Sequence, residues 1–390
     1  MGNIKTRGKL HFINIYLIML LGFSIPISTS ISSIIPVLIF LLWLIEGDFK
    51  NKLNKIIENR AILAFILLFS LYLVGLLYTT DLENGLYLVR KGRYLLLTPL
   101  IYTAISNEKE KGMAIKSFIA GVICSVFISY LIYFKIVKFN NISPSCPAII
   151  HYGHYSIHLA FAIFWLLNSF FKNSSKYLKI AVLLVVVLMS INLFIQYSRG
   201  GQLAFFVLII LWTIKRYGIK GMLCGIIIVC ILSTCIYRIS PTFKQRIDIG
   251  IEDITQFQTK DKLSGVGERL IFWQNTFKII KSNPIIGVGT GDFNVEYAKI
   301  NQQKDKLITD NPHNNYLFIL ALFGVIGFII FLNLFYQMFR YSLLSPNGEI
   351  VQLLIVTISI LMLFESPLMR HGMLYFVYLS GVLLNKGKVD

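Results

Sequence analysis

Arginines are the first side chains in this sequence whose type and position suggest chemistry. Arg199 stands in the tight link Gln196-Tyr-Ser-Arg-Gly-Gly-Gln202 between two apolar runs, and Arg90, Lys91 and Arg93 cluster at the start of another. A guanidinium stays cationic at any physiological pH and its planar fork matches phosphate oxygens, so Arg199, Arg90 and Arg93 read as a cradle for a phosphorylated lipid headgroup. An arginine at the end of a membrane span also snorkels to ordinary headgroups, and that reading stands beside the first. The glycines after Arg199 let a ligand come close to the backbone. His313, in Asp310-Asn-Pro-His-Asn-Asn-Tyr316, can accept a proton near neutral pH. It reads as a general base or as an interfacial, capping histidine. Arg269 lies one turn before Trp273, which suits a cation–π pair or a phosphate contact.

His151, His154 and His158 are spaced by three and four, as imidazoles on one helical face would be. No carboxylate completes a metal site there, and a loop this rich in His and Tyr more commonly hydrogen-bonds sugar or phosphate. His371 beside Arg370 reads as an interfacial anchor. The Gly287-Val-Gly-Thr-Gly291 run offers backbone N–H groups to an anion or makes a plain turn.

These residues sit in a chain of 390 residues with 37 Lys+Arg against 19 Asp+Glu, a net charge of +18, yet only 14% charged and 56% hydrophobic residues. A soluble domain is about a quarter charged, which excludes a large cytosolic enzyme, and the apolar content excludes a disordered basic tail. Apolar runs predict about twelve helical spans, at 11–27, 30–45, 61–78, 93–106, 114–137, 155–171, 178–196, 201–217, 219–237, 314–339, 349–365 and 371–385. Their continuous rather than alternating pattern makes the expected fold all-α, a polytopic membrane protein. The basic start (Lys5, Arg7, Lys9) before the first run reads as the flank of a retained first helix.

Every second loop is basic, which places those loops and both termini in the cytoplasm and makes anionic lipid, not nucleic acid, the partner of the positive charge. The division expected along the chain is 1–237 with nine spans, 238–312 as an outer loop with amphipathic helices, and 313–390 with three spans. In that loop Phe243, Ile247, Ile251 and Ile254 recur at helical period, and Leu270, Trp273, Phe277 and Ile280 share a face. Asp292 suits the N-cap of a helix through Glu296 and Lys299. Four of the five cysteines lie in apolar runs; Cys146 lies in a polar loop, leaving a Cys146–Cys235 bridge open.

The order of Tyr197-Ser-Arg-Gly-Gly201, Glu268-Arg-Leu-Ile-Phe-Trp273, Asn283-Pro-Ile-Ile-Gly-Val-Gly-Thr-Gly291, Pro312-His-Asn-Asn-Tyr-Leu317 and Phe323-Gly-Val-Ile-Gly327 resembles the O-antigen ligase and polymerase superfamily. The resemblance implies a glycosyltransferase of the bacterial inner membrane, active at the periplasmic face in lipopolysaccharide biosynthesis. Its donor would be an undecaprenyl-diphosphate-linked glycan, and it would need no cofactor and no metal. For a ligase the acceptor is a lipid A-core sugar; for a polymerase it is another lipid-linked repeat. By this resemblance Arg199 is an essential arginine, Arg269 a loop arginine and His313 the catalytic histidine, with Arg90 and Arg93 matching more loosely. Asn314 follows His313 in the motif and, with His151 and His154, is a weaker candidate for substrate contact. A lipid-linked-sugar transporter would also want phosphate-binding arginines. It would place charges near the midplane on helices related by a repeat, whereas the candidates here collect at one face.

Overall fold

The computed structural model describes residues 2–139, 142–172, 175–256, 265–301, 308–369 and 372–385. Arg370 and His371 lie outside them. All regular structure among the described residues is helical. In chain order the helices are α1 (Gly2–Ser24), α2 (Thr29–Glu46), α3 (Phe49–Glu58), α4 (Arg60–Val74) and α5 (Leu82–Gly92). They continue with α6 (Leu97–Ala104), α7 (Glu108–Tyr133), α8 (Tyr152–Lys172), α9 (Lys176–Ile195), α10 (Arg199–Ile239) and α11 (Pro241–Thr255). The last are α12 (Gly265–Ser282), α13 (Phe293–Ile300), α14 (Asn315–Leu344), α15 (Gly348–Phe364) and α16 (Gly372–Leu383).

Among the described residues six helical segments are long and apolar enough to cross a membrane: Thr29–Glu46, Arg60–Tyr78, Glu108–Tyr133, Lys176–Ile195, Arg199–Ile239 and Asn315–Leu344. Shorter apolar helices cover Gly8–Ser24, Gly348–Phe364 and Gly372–Leu383. Two of the expected spans, 201–217 and 219–237, are the two arms of α10, which breaks at Gly218 (φ 61°). Gly221 and Gly225 of the second arm lie against Thr213 of the first, an approach that a side chain at either position would block. The expected span 93–106 is a 3-10 turn, Arg93–Leu96, followed by the eight-residue α6. A perpendicular crossing takes about 20 helical residues, so this stretch does not cross alone.

The chain forms two compact units: residues 1–120, 269–355 and 362–390 in the first, and 121–268 with 356–361 in the second.

In the first unit α16 is the central rod, buried along its whole length. Phe376 stacks on Phe335 of α14 and meets Phe65 of α4, at 5.9 and 5.3 Å between ring centroids, and Tyr375 meets Phe118 of α7 at 5.7 Å. Lipid offers no hydrophobic drive between spans, so ring packing and interhelical hydrogen bonds hold such a bundle. Its two ends differ in chemistry. At one end the His11 ring lies between Glu110 (2.9 Å) and Glu46 (3.6 Å), Lys52 pairs with Glu46 at 2.8 Å, and Lys111 donates to the Asn385 carbonyl. Asn347, before α15, bonds Glu108 at this same end, so α15 runs away from it and terminates at the other, beside Glu365.

At that opposite end α14 is broken at Gly324 (φ 60°), and the segment 284–289 lies in the break. Val288 and Gly289 donate to the carbonyls of Ala321 and Leu322, while Val325 and Ile326 donate to those of Pro284 and Ile285. The backbone groups freed by the break are thus satisfied within the protein, the condition under which irregular backbone survives at membrane depth. Gly287 (φ 72°) and Gly324 face each other's strands so closely that a Cβ at either would overlap backbone atoms. Asp292 precedes α13 as expected but does not cap it. Its carboxylate accepts from the Thr79 hydroxyl at 2.7 Å and from the backbone N–H groups of Thr80 and Asp81, both at 2.8 Å. Burial alone pushes the Asp292 carboxyl up, but these donors outweigh it and hold it below its ordinary value.

The second unit packs α8, α9, α10 and α11 with the end of α7. Its interior carries a polar seam: Tyr155 donates to Asn192 at 2.9 Å, Asn192 to Ser129 at 3.0 Å, and Gln196 to Asn192 at 3.2 Å. The Cys146 thiol donates to Gln196, and both Cys146 and Cys235 are free thiols. In α11, capped by Ser240, Phe243 is buried against Phe194, while Ile251 and Ile254 are exposed.

Candidate functional site

The first unit gathers three ionisable groups at its broken-helix end. Glu365 follows the last turn of α15 and is 6% exposed; one carboxylate oxygen lies 3.2 Å from an Arg269 terminal nitrogen and the other 3.3 Å from His313 Nδ1. An ionised carboxylate only accepts, so Nδ1 carries the hydrogen of that bond, and in the neutral ring Nε2 then has the lone pair. This is the tautomer a general base needs, and a carboxylate fixing it from behind is the logic of a catalytic triad. The imidazole is 23% exposed, so it can be reached.

Local sequence explains how His313 is held. Its φ of 50° is left-handed, an uncommon state for a residue with a side chain, and persists only where surroundings impose it. The His313 N–H donates to the Asn311 side chain at 3.0 Å, and Trp273 of α12 donates to the Pro312 carbonyl at 3.0 Å. Phe272 lies against the imidazole with ring centroids 6.0 Å apart. Asn314 is the N-cap of α14: its Oδ1 accepts from the N–H groups of Tyr316 and Leu317, both at 3.1 Å, and its amide donates to the Leu363 carbonyl. Asn314 therefore joins α14 to α15 and is 7% exposed.

Arg269 is committed to Glu365 through one terminal nitrogen. The buried face of α12 is Phe272, Asn275, Thr276 and Ile279, one residue round from the stripe read in the sequence, and Phe277 is half exposed. Arg90 and Arg93 are exposed on and just after α5, with Arg93 over the Tyr94 ring at 5.7 Å. α5 packs on the 3-10 turn Pro367–Met369, two residues beyond Glu365, so the two arginines lie on an element adjoining the cluster.

The glycine run is not an anion nest. Gly287, Val288, Gly289 and Thr290 donate their N–H groups to backbone carbonyls, and Gly291 donates to the Thr79 hydroxyl at 2.9 Å.

In the second unit Arg199 is the first residue of α10, whose N-cap is Ser198. Its guanidinium donates to the Arg246 carbonyl of α11 and lies about 3.3 Å from where a Cβ on Gly250 would be. Gly201 serves packing: a Cβ there would overlap Ser156 of α8. His151 is exposed at the start of α8, stacked on Tyr152 at 4.6 Å, whereas His154 and His158 are 2% and 1% exposed in the interior of the unit. Among the described residues no three His, Cys, Asp or Glu side chains gather as metal ligands.

Glu365 is the residue that the sequence reading passed over. It had a signal: an acid at the end of an apolar run, in Phe364-Glu-Ser-Pro367, is costly to bury without a partner.

Residues 184–332 match the family model described as O-antigen ligase. The matched stretch contains Arg199, Arg269, His313 and Asn314, and so the likeness to the O-antigen ligase and polymerase superfamily is shown for the part of the chain that carries the motifs. It supports an activity of ligase or polymerase type in general. An uncharacterized protein of Haemophilus influenzae (strain ATCC 51907 / DSM 11121 / KW20 / Rd) is 28% identical over 193 residues, which are 46% of this chain and 47% of the relative. The match thus spans about half the length of that curated relative.

Proposed function

We propose that this chain is an O-antigen ligase, transferring glycan from undecaprenyl diphosphate to a sugar hydroxyl of lipid A-core. The observation that carries the reading is the Arg269–Glu365–His313 cluster, lying with its two basic members inside the stretch that matches the ligase family. In the reaction the acceptor hydroxyl gives its proton to His313 Nε2 while its oxygen attacks the anomeric carbon. The bond from that carbon to the diphosphate oxygen breaks, its electron pair leaves with the diphosphate, and the configuration inverts. Arg269, Arg90 and Arg93, all in the first unit, are assigned to the charge that develops on the leaving group, which preorganised cations stabilise more in the transition state than in the ground state; Arg199 keeps the role of an essential arginine that the resemblance gives it. His151, which is exposed, keeps the weaker assignment to donor contact, and His154, interior to its unit, does not. Asn314 is assigned to holding His313 in register, given its capping bonds.

The topology that goes with this reading has about twelve crossings of a bacterial inner membrane, cytoplasmic termini and a His313 site at the periplasmic face. The basic loops support it, as does the separation of the Lys52 and Lys111 end of the first unit from its Glu365 end.

The test is the lipopolysaccharide gel of a deletion strain complemented with wild type or His313→Ala. Loss of all attached O-chains with accumulated lipid-linked polymer means ligase, and core carrying a single repeat means polymerase. His313→Ala should lose about 10²–10⁴ in transfer rate while reaching the membrane at normal level, the usual worth of a general base. Near-normal transfer in that variant removes the assignment.

A further inference from the structure

A cleft of about 430 Å³ opens in the first unit between α13 and the segment 308–310. Pockets of roughly 300–1,000 Å³ hold small ligands, and this one has room for one or two sugar rings. Asn294, Asn301, Thr309 and Asp310 give it polar groups, and Ala298 and Ile308 line it at its exposed side with apolar ones.

Three observations point to its occupant. Its described lining carries a carboxylate and neutral amide and hydroxyl groups, which suit groups that donate hydrogen bonds. Asn294 Oδ1 is buried and has no hydrogen-bond partner among the described residues, an acceptor whose desolvation a ligand hydroxyl would offset. The cleft is also wired to His313. Asp310 is three residues away, a reach of at most about 11 Å, and its carboxylate accepts from Asn311, the side chain that holds the His313 N–H. Tyr297, in the cleft wall, meets Phe272 at 6.3 Å, and Phe272 meets the imidazole at 6.0 Å.

We propose that this cleft seats the acceptor saccharide, its ring hydroxyls donating to Asp310 and Asn294 so that the attacking hydroxyl lies toward His313. The assignment rests on the glycosyl-transfer reading and adds the acceptor side to it. A sugar of lipid A-core and a sugar of a lipid-linked repeat present the same hydroxyl chemistry, and the assay separates them.

The experiment uses the purified full chain with lipid-linked glycan as donor and two acceptors in separate arms: lipopolysaccharide lacking O-chains, and the lipid-linked repeat unit. Ala298→Trp fills the cleft from an exposed position of α13, and Asn294→Ala removes the unpaired acceptor. Ala298→Trp should raise the acceptor concentration for half-saturation at least about tenfold, and Asn294→Ala several-fold, with half-saturation by donor unchanged. The arm in which the shift occurs names the acceptor. Binding of each acceptor to His313→Ala protein, which needs no turnover, is read in parallel and should weaken by the same factor when Ala298→Trp is added. Unchanged acceptor saturation, a shift in donor saturation instead, or no effect of Ala298→Trp on binding overturns the cleft assignment while leaving His313 in place. Full transfer by His313→Ala overturns the reading on which it rests.

Discussion

A histidine, a glutamate and an arginine at successive hydrogen-bond distances divide the labour of a base in a way each would not manage alone. Glu365 is argued to act through His313, as a positioning residue, and the test is its isosteric loss. Glu365→Gln keeps the volume but offers an amide that can donate to Nδ1 and turn the ring; transfer should fall about 10²-fold with half-saturation by donor little changed. Partial rescue by Glu365→Asp separates positioning from folding, since a structural defect would lower the amount of protein in both. Arg199→Lys carries the phosphate argument. A point ammonium cannot chelate two phosphate oxygens in a fixed fork, so a loss of about 10²-fold or more is expected despite the retained charge. An unimpaired lysine variant removes Arg199 from the phosphate assignment. These residue types were legible in the sequence, and so was their proton and phosphate chemistry. The Glu365 contact was not, because 96 residues separate it from Arg269 and 52 from His313.

At the scale of elements, the broken α14 and the segment in its break are one construction, closed by Asp292. The carboxyl of Asp292 is depressed in the folded state, so its contribution is present above the unfolded value near 3.8 and lost as pH falls through the lower native value. The gap in melting temperature between wild type and Asp292→Asn should be constant above about pH 5 and close below pH 3.8. A gap that widens on acidification sinks the argument. Asp292→Ala leaves three donors unanswered and should cost about 2–4 kcal/mol. The sequence marks Gly287-Val-Gly-Thr-Gly291 as a turn and Asp292 as a cap from composition alone. It does not reveal that a later helix of 30 residues breaks at Gly324 to receive the turn, because any glycine in a helical run carries the same local signal.

For the whole molecule, the charge asymmetry of the loops predicts which sites face the cytoplasm. In a variant with the five native cysteines replaced, Lys50→Cys and Lys109→Cys should resist a membrane-impermeant maleimide in intact spheroplasts, and Asp310→Cys should react; all three positions are exposed. Labelling of Lys50→Cys under those conditions inverts the topology. The compact units interleave along the chain, with residues 356–361 of α15 joining the second unit between two stretches of the first. Arg199 belongs to the second unit; Arg269, His313 and Glu365 belong to the first.

The helical membrane class, the alternation of basic loops, the small set of residues able to move a proton or hold a phosphate, and the family likeness of their order can all be read along the chain. Those are local properties: an apolar run, a charge bias or a short motif is complete within a few residues. Folding in three dimensions adds that Glu365 joins Arg269 to His313, that the amides of the glycine run are spent within the protein, those of Val288 and Gly289 on α14, and that His154 is interior while His151 is exposed. Each of those depends on which helix faces are brought together over tens of residues of chain, and packing, not periodicity, selects the faces.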